Sequence, residues 1–332
     1  MRRKILFGGL IAILVAFCLL NSGCDSEKIA DSAVIREKTI SEYEKDIELC
    51  TEAIERNPND AEAYLKRGIA YCKTVRYKEA IVDLTKALEF KPNDATAYFN
   101  RGLSYYSERK SDLAIQDLTK AIELNPNDTE AYYNRGCIYD SLKQYDKAII
   151  DYTKAIEIKP NDFSYYDHRG TDYNKLGEYE KVVQDYTKAI ELYSDCPFYY
   201  QHRGKAYDKL GEYEKAIQDF NKAIEMDPDY NFYYLYRGCS YAGLEKYDLA
   251  FADFNKSLEL DPNEAYTYYN RGIVYYGLKE YEKAIADFNK AIEIVPGNGN
   301  SHYQRGKCYE ILGETEKAQA DYEKAKKLYY GG

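Results

Sequence analysis

The sequence predicts an all-α fold, a solenoid built from repeated pairs of helices. Two observations support this prediction. Arg-Gly dipeptides recur every 34 residues, at residues 67, 101, 135, 169, 203, 237, 271 and 305 of the 332-residue chain. Each interval contains two stretches with apolar residues at helical spacing, separated by a short break. Because one such pair cannot bury both of its faces, we expect neighbouring pairs to stack along the chain.

The first element in chain order is an export signal over residues 1–23. It has a basic start, "MRRK", followed by the apolar run 5–20 and small residues before Cys24. The ending "LLNSGC" resembles the lipobox of bacterial lipoproteins, although Asn21 stands where that family prefers an aliphatic residue. The resemblance implies that Cys24 is lipidated. An uncleaved signal anchor and ordinary cleavage are the alternatives, and all three place the rest of the chain outside the cytoplasm.

The next elements lead into the array. Residues 24–42 carry no strong apolar period, so they are predicted to be a tether. Residues 43–60, "YEKDIELCTEAIERNPND", match the second helix of a repeat and are predicted to form a partial repeat. Eight full repeats follow over residues 61–330: 61–94, 95–128, 129–162, 163–196, 197–230, 231–264, 265–298 and 299–330.

The repeats share small residues where two helices must approach closely. Position 8 of each repeat is glycine and position 11 is tyrosine in all eight copies, and position 20 is alanine except for Val182. Phrases such as "KPND" (residues 91–94) end one pair and can cap the next helix. This pattern, at this period, resembles the tetratricopeptide repeat (TPR) family. The resemblance covers about residues 43–330 and implies a right-handed TPR superhelix.

Charged residues recur within the apolar stripes of both helices. Position 7 is arginine and position 23 is aspartate in every copy. A charge on an inward-facing stripe needs a partner, so we predict eight structural ion pairs, formed within a repeat or with its neighbour. The predicted pairs are Arg67 and Asp83, Arg101 and Asp117, Arg135 and Asp151, Arg169 and Asp185, Arg203 and Asp219, Arg237 and Asp253, Arg271 and Asp287, and Arg305 and Asp321.

Function is expected where the repeats differ. The TPR resemblance implies that positions 2, 5, 6, 9 and 12 of the first helices line a concave ligand groove. Asparagine amides suit an extended peptide backbone there, and tyrosines supply flat apolar area with a hydroxyl at the rim. The candidate groove residues are Asn100, Tyr133, Asn134, His168, His202, Tyr236, Tyr266, Tyr269 and Asn270.

These features predict a non-catalytic scaffold at the extracytoplasmic face of the cell envelope, held to the membrane by an N-terminal lipid or signal anchor. An unidentified protein or peptide is the expected partner. A net charge of −10 argues against binding nucleic acid. No cofactor and no metal is predicted, since His168 and His202 lack an evident third ligand. An envelope lipoprotein that captures a small molecule or glycan is the alternative. An enzyme is the weakest hypothesis, because the repeats leave no room for a catalytic domain.

Overall fold

The structure is a computed structural model that describes residues 38–330. The export signal and Cys24 lie outside the described residues. Within them the secondary structure is helical, from α1 to α17. The helices are α1 Ile40–Arg56, α2 Ala61–Lys73, α3 Tyr77–Phe90, α4 Ala95–Ser107, α5 Ser111–Leu124, α6 Thr129–Ser141, α7 Tyr145–Ile158, α8 Phe163–Leu176, α9 Tyr179–Leu192, α10 Pro197–Lys209, α11 Tyr213–Met226, α12 Asn231–Gly243, α13 Tyr247–Leu260, α14 Ala265–Gly277, α15 Tyr281–Ile294, α16 Gly299–Ile311 and α17 Thr315–Tyr330.

The helices form two compact units that divide between Phe198 and Tyr199, close to the start of α10. In the first unit α2 packs on α3, α4 on α5, α6 on α7 and α8 on α9, and consecutive repeats meet where α3 packs on α4, α5 on α6 and α7 on α8. In the second unit α12 packs on α13, α14 on α15 and α16 on α17, with the same contacts between consecutive repeats. Each unit is therefore an all-α stack of helix pairs, as the period predicts.

Small residues set the distance between the paired helices. Ala148 and Ala216, at position 20, are fully buried. A Cβ atom placed on Gly136 would lie 2.7 Å from Cε1 of Tyr152 on the partner helix, closer than carbon atoms can pack. The glycine at position 8 is thus required by the close approach of the helices.

Polar side chains cap the N-termini of several helices. Asp60 caps α2, and its carboxylate accepts hydrogen bonds at 3.1 Å from the backbone nitrogens of Glu62 and Ala63. Helix α1 begins at Ile40 rather than within the predicted range 43–60. Thr39 and Glu42 explain the difference, because they form a reciprocal capping box that extends the helix toward the N-terminus. The predicted tether is correspondingly shorter at its C-terminal end.

The eight arginines at position 7 form the recurrent polar contact of the array. The Arg135 Nε and Nη2 atoms donate to the Asp151 carboxylate at 2.8 and 2.7 Å, across the helix pair of one repeat. Its Nη1 donates at 2.8 Å to Thr119 Oγ1 in the preceding repeat. The two-pronged pair with aspartate recurs in all eight repeats, with closest distances of 2.6–2.7 Å.

The arginine therefore joins three helices. The sequence left open whether the pair forms within a repeat or between neighbours; the aspartate lies in the same repeat, and the third bond reaches the preceding one. Threonine accepts that third bond in the first unit, from Arg67, Arg101, Arg135 and Arg169. Asparagine accepts it in the second unit, from Arg237, Arg271 and Arg305. These three hydrogen bonds fix the guanidinium between two repeats, which is a structural role.

Candidate functional site

The first unit buries part of its predicted groove. Tyr133 is 5% exposed and Asn134 is 4% exposed. The Tyr133 ring lies 5.3 Å from the rings of both Tyr165 and His168, measured between centroids, and 6.0 Å from that of Tyr152. These contacts hold Tyr133 in the core between two repeats. The expectation that Tyr133 and Asn134 offer their side chains to a ligand is corrected accordingly, because the next repeat covers them.

The predicted asparagines hydrogen-bond to their own helices. The amide nitrogens of Asn100, Asn134 and Asn270 donate to the main-chain carbonyls four residues earlier, at 2.8, 2.7 and 2.7 Å. One amide hydrogen of each is thus committed. Asn100 and Asn270 are half-buried, so the rest of each amide remains accessible, whereas Asn134 is enclosed. Of the three, Asn100 and Asn270 keep the capacity to bond a peptide backbone.

A buried acidic pair lies between α6 and α8 of the first unit. Asp172 is fully buried, and Lys175 bridges it to Asp140 on the neighbouring repeat, with the Nζ atom 3.1 Å from Asp172 Oδ1. Burial, and next the negative charge of Asp140, raise the pKa of Asp172 to about 7. Sequence reasoning missed this cluster. The available signal was an aspartate at position 10, where other repeats carry Ala70, Ser104, Ala206 or Ser240.

The second unit carries its aromatic residues closer to solvent. Tyr266 and Tyr303 are 48% and 47% exposed. Tyr266 stacks on Tyr269 with a centroid separation of 6.1 Å, and Tyr236 stacks on Phe232 at the same separation. Burial, followed by the neighbouring hydroxyl of Tyr266, raises the pKa of Tyr236 to about 12. We call Tyr236, Tyr266, Tyr269 and Tyr303 the aromatic face of the second unit.

Two lysines lie against tyrosine rings in the second unit. The Lys205 Nζ atom is 4.7 Å from the centroid of the Tyr236 ring, and the Lys307 Nζ atom is 4.5 Å from that of Tyr276. Both lysines occupy position 9, one of the groove positions that the TPR resemblance implies. Sequence reasoning did not select them, although a charge at a position that is Ile69, Leu103 or Ile273 in other repeats was a usable signal.

The two predicted groove histidines differ in their surroundings. His168 packs against Tyr133 and Tyr152, with centroid distances of 5.3 and 5.6 Å. Burial, and next the charge of Lys205, lower the pKa of His202 to about 4, so its imidazole is neutral at pH 7. Within residues 38–330, no group of three or more His, Cys, Asp or Glu side chains is arranged to hold a metal ion.

A recess of about 810 Å³ lies between α1 and α2 at the start of the first unit. Leu49, Cys50 and Ile69 supply apolar parts of its wall, and Asp46 and Lys66 supply polar ones. The recess contains none of the predicted groove residues. It is therefore a separate feature from the aromatic face.

Among the described residues, no helix is both long enough and apolar enough to cross a membrane.

Protein-family models match nearly the whole array. The model described as "Tetratricopeptide repeat" matches residues 95–128, 129–162, 197–230 and 265–298. Related tetratricopeptide models match 49–82, 76–108, 164–196, 238–279 and 288–320. A comparison with curated proteins gives no match.

Two solved structures have a similar fold. A tetratricopeptide repeat protein from Parabacteroides merdae superposes with a TM-score of 0.62 at 23% identity, covering 71% of this chain and 93% of that one. The C-terminal part of a TPR repeat-containing protein from Cytophaga hutchinsonii gives a TM-score of 0.59, also at 23% identity, with 71% and 97% covered. At this identity the likeness establishes the fold alone.

Proposed function

Because the chain belongs to the tetratricopeptide repeat family, we propose that it is a non-catalytic scaffold that binds an extended segment of a partner protein on the aromatic face of its second unit. The observation that carries the proposal is the pair of half-exposed tyrosines, Tyr266 and Tyr303, on first helices of the repeats. A partner that covers these rings removes their apolar area from water, which favours binding.

The chemistry of this face suits a peptide chain. Tyrosine offers a rigid apolar surface that loses little entropy on binding and ends in a hydroxyl for a polar contact. Asn270 keeps amide capacity for a peptide backbone beside Tyr266 and Tyr269. A face that extends over consecutive first helices fits an extended segment better than a compact small molecule, which needs a concave site that surrounds it.

The test compares loss of the exposed tyrosines with loss of an exposed apolar side chain elsewhere in the same unit. We would cross-link the tagged protein in its host and identify co-purifying proteins for wild type, Tyr266→Ala/Tyr303→Ala and Leu249→Ala. Leu249 is 48% exposed on a second helix of the same unit, so it controls for the loss of surface apolar area. The proposal predicts that a partner is lost with the double tyrosine variant and retained with Leu249→Ala. Identical partner sets from all three proteins would contradict it.

We also propose that the scaffold is anchored at the extracytoplasmic face of the envelope through a lipid on Cys24, on the basis of the lipobox-like "LLNSGC". Growth of the host with an alkyne-labelled fatty acid should label the wild-type protein and leave Cys24→Ala unlabelled. Retention of the label in Cys24→Ala would contradict lipidation at this residue. Membrane retention without any label would instead indicate the uncleaved signal anchor.

A further inference from the structure

We infer that the segment bound by the aromatic face is acidic, with two of its carboxylates received by Lys205 and Lys307. This inference rests on the proposed function and specifies its partner. It starts from an imbalance of charge: the carboxylates at groove positions of the second unit, those of Asp208 and Glu310, accept hydrogen bonds from hydroxyl groups, whereas these two ammonium groups have no carboxylate partner among the described residues.

Lys205 is a partly buried cation held by neutral groups. Its Nζ atom lies 4.7 Å from the Tyr236 ring centroid and 3.5 Å from the Tyr236 hydroxyl oxygen. Burial, and next the charge of Lys209, lower the pKa of Lys205, which shows that its surroundings do not compensate the ammonium charge. A cation in this state gains more from an incoming carboxylate than a fully hydrated lysine does.

Lys307 makes a similar contact three repeats further along the same unit, with a tyrosine of the preceding rather than the following repeat. It occupies the same repeat position as Lys205, and its Nζ atom lies 4.5 Å from the Tyr276 ring centroid. The ring holds the ammonium in place through a cation–π contact while leaving its hydrogen-bond donors unmatched by an anion. Two such lysines on first helices, at separate repeats, fit an extended segment with two acidic positions.

The acids at groove positions nearby are already bonded. Asp208 accepts a hydrogen bond from Ser240 Oγ at 2.8 Å, and Glu310 accepts one from the Tyr322 hydroxyl at 2.6 Å. Three lysines at one repeat position of the second helices do have a carboxylate partner three residues later: Lys222 pairs with Glu225, Lys256 with Glu259 and Lys290 with Glu293. Lys205 and Lys307 instead place positive charge without a carboxylate partner beside the aromatic face, in a protein whose net charge is −10.

The test selects ligands without a prior choice of sequence. We would pan a random-peptide library against the purified full-length protein, against Lys205→Gln/Lys307→Gln, and against the charge-matched control Lys222→Gln/Lys290→Gln. The inference predicts that wild type and control enrich peptides rich in Asp and Glu together with aromatic residues. The affinity of those peptides for Lys205→Gln/Lys307→Gln should fall about ten-fold or more, equivalent to ~1.4 kcal/mol. Circular dichroism of each variant verifies that it is folded.

The other outcomes separate the two proposals. Enriched peptides without acidic residues, or equal affinity for all three proteins, would overturn the acidic partner and leave peptide binding standing. Failure of any peptide to enrich above a blank would overturn the proposed function as well. Displacement of the peptides by inorganic phosphate, beyond the effect of sodium chloride at equal ionic strength, would assign the lysines to a phosphate-bearing ligand instead.

Discussion

The two units of this protein share one framework and differ in what their first helices present. In both units, the arginine at position 7 donates two hydrogen bonds to an aspartate of its own repeat. In the first unit, Tyr133 at position 5 and Asn134 at position 6 are buried. In the second unit, Tyr266 at position 2 and Tyr303 at position 5 are half-exposed, and two lysines at position 9 have no anion among the described residues.

The comparison shows how a repeat array separates stability from recognition. The residues that hold the helices together recur every 34 residues, so each copy is supported alike. Positions 2, 5, 6 and 9 of the repeat are free of that constraint. In the first unit Tyr133 adds to the packing between repeats, and in the second unit Tyr266 and Tyr303 leave about half of their side chains exposed.

The framework should be equally important in both units. Arg135→Ala in the first unit and Arg271→Ala in the second should each lower the free energy of unfolding by about 3–5 kcal/mol, because a buried carboxylate loses its cation. Asp151 is 2% exposed, and burial raises its pKa. Urea denaturation followed by circular dichroism measures the loss. If either variant unfolds at the same urea concentration as wild type, the ion pair contributes little to stability in that unit, and the two units are not equally dependent on it.

The next largest loss of stability is expected from substitutions that block the close approach of the paired helices. Gly136→Ala should cost about 1–3 kcal/mol, because the added methyl group would lie 2.7 Å from the Tyr152 ring. Gly277→Ala is the control in the second unit, since its Cβ would meet nothing within 4 Å and alanine favours a helix. Thermal melting of both proteins compares them. Equal destabilisation by the two substitutions would contradict a specific contact at Gly136.

The buried acidic pair makes the first unit sensitive to pH. The pKa of Asp172 is about 7 in the folded protein and ~3.9 in the unfolded chain. Between those values the folded state binds more protons, so the free energy of unfolding falls as pH rises from about 4 to about 7.

Asp172→Asn should abolish that part of the pH dependence. Hydrogen exchange of peptides from α6 and α8, measured at pH 5 and pH 8, localises the effect to the first unit. Peptides from α14 and α16 in the second unit serve as the internal control. Equal protection of the backbone amides of α6 and α8 at both pH values in the wild-type protein, after correction for intrinsic exchange, would contradict this prediction.

Loss of the exposed tyrosines should have the smallest effect on stability. Tyr266→Ala/Tyr303→Ala should change the free energy of unfolding by no more than about 0.5 kcal/mol per residue, because these side chains lie half in solvent. Differential scanning calorimetry provides the measurement, with Leu249→Ala as the matched control. A loss of several kcal/mol would mean that the aromatic face is part of the core, as Tyr133 is in the first unit.

The fold was predictable from the sequence because it depends on spacing alone. The 34-residue period fixed the helix pairs, and the recurrence of Arg135 and Asp151 at the same repeat positions indicated an ion pair. Exposure within the groove was not predictable in this way. Whether Tyr133 is open or covered depends on Tyr165 and His168 in the next repeat, and hence on packing between copies.

Lys205 and Lys307 were missed for a related reason. The predicted groove residues are amide, tyrosine and histidine side chains, whereas these lysines are informative because they replace the apolar residues found at position 9 of other copies. Their significance also required the structure, which shows tyrosine rings and no carboxylate beside them among residues 38–330. The identity of the bound partner depends on chemistry supplied by another molecule, so no feature of this chain fixes it beyond its class.

The difference between the units is tested most directly by a photo-cross-linking scan in the host. A photoreactive phenylalanine analogue is placed, one site at a time, at position 2 of six repeats: Thr96, Glu130, Ser164, Phe232, Tyr266 and Asn300. Our account predicts partner adducts at the three sites of the second unit and little at the three sites of the first. Equal adduct yields at all six sites, or yields concentrated in the first unit, would contradict it.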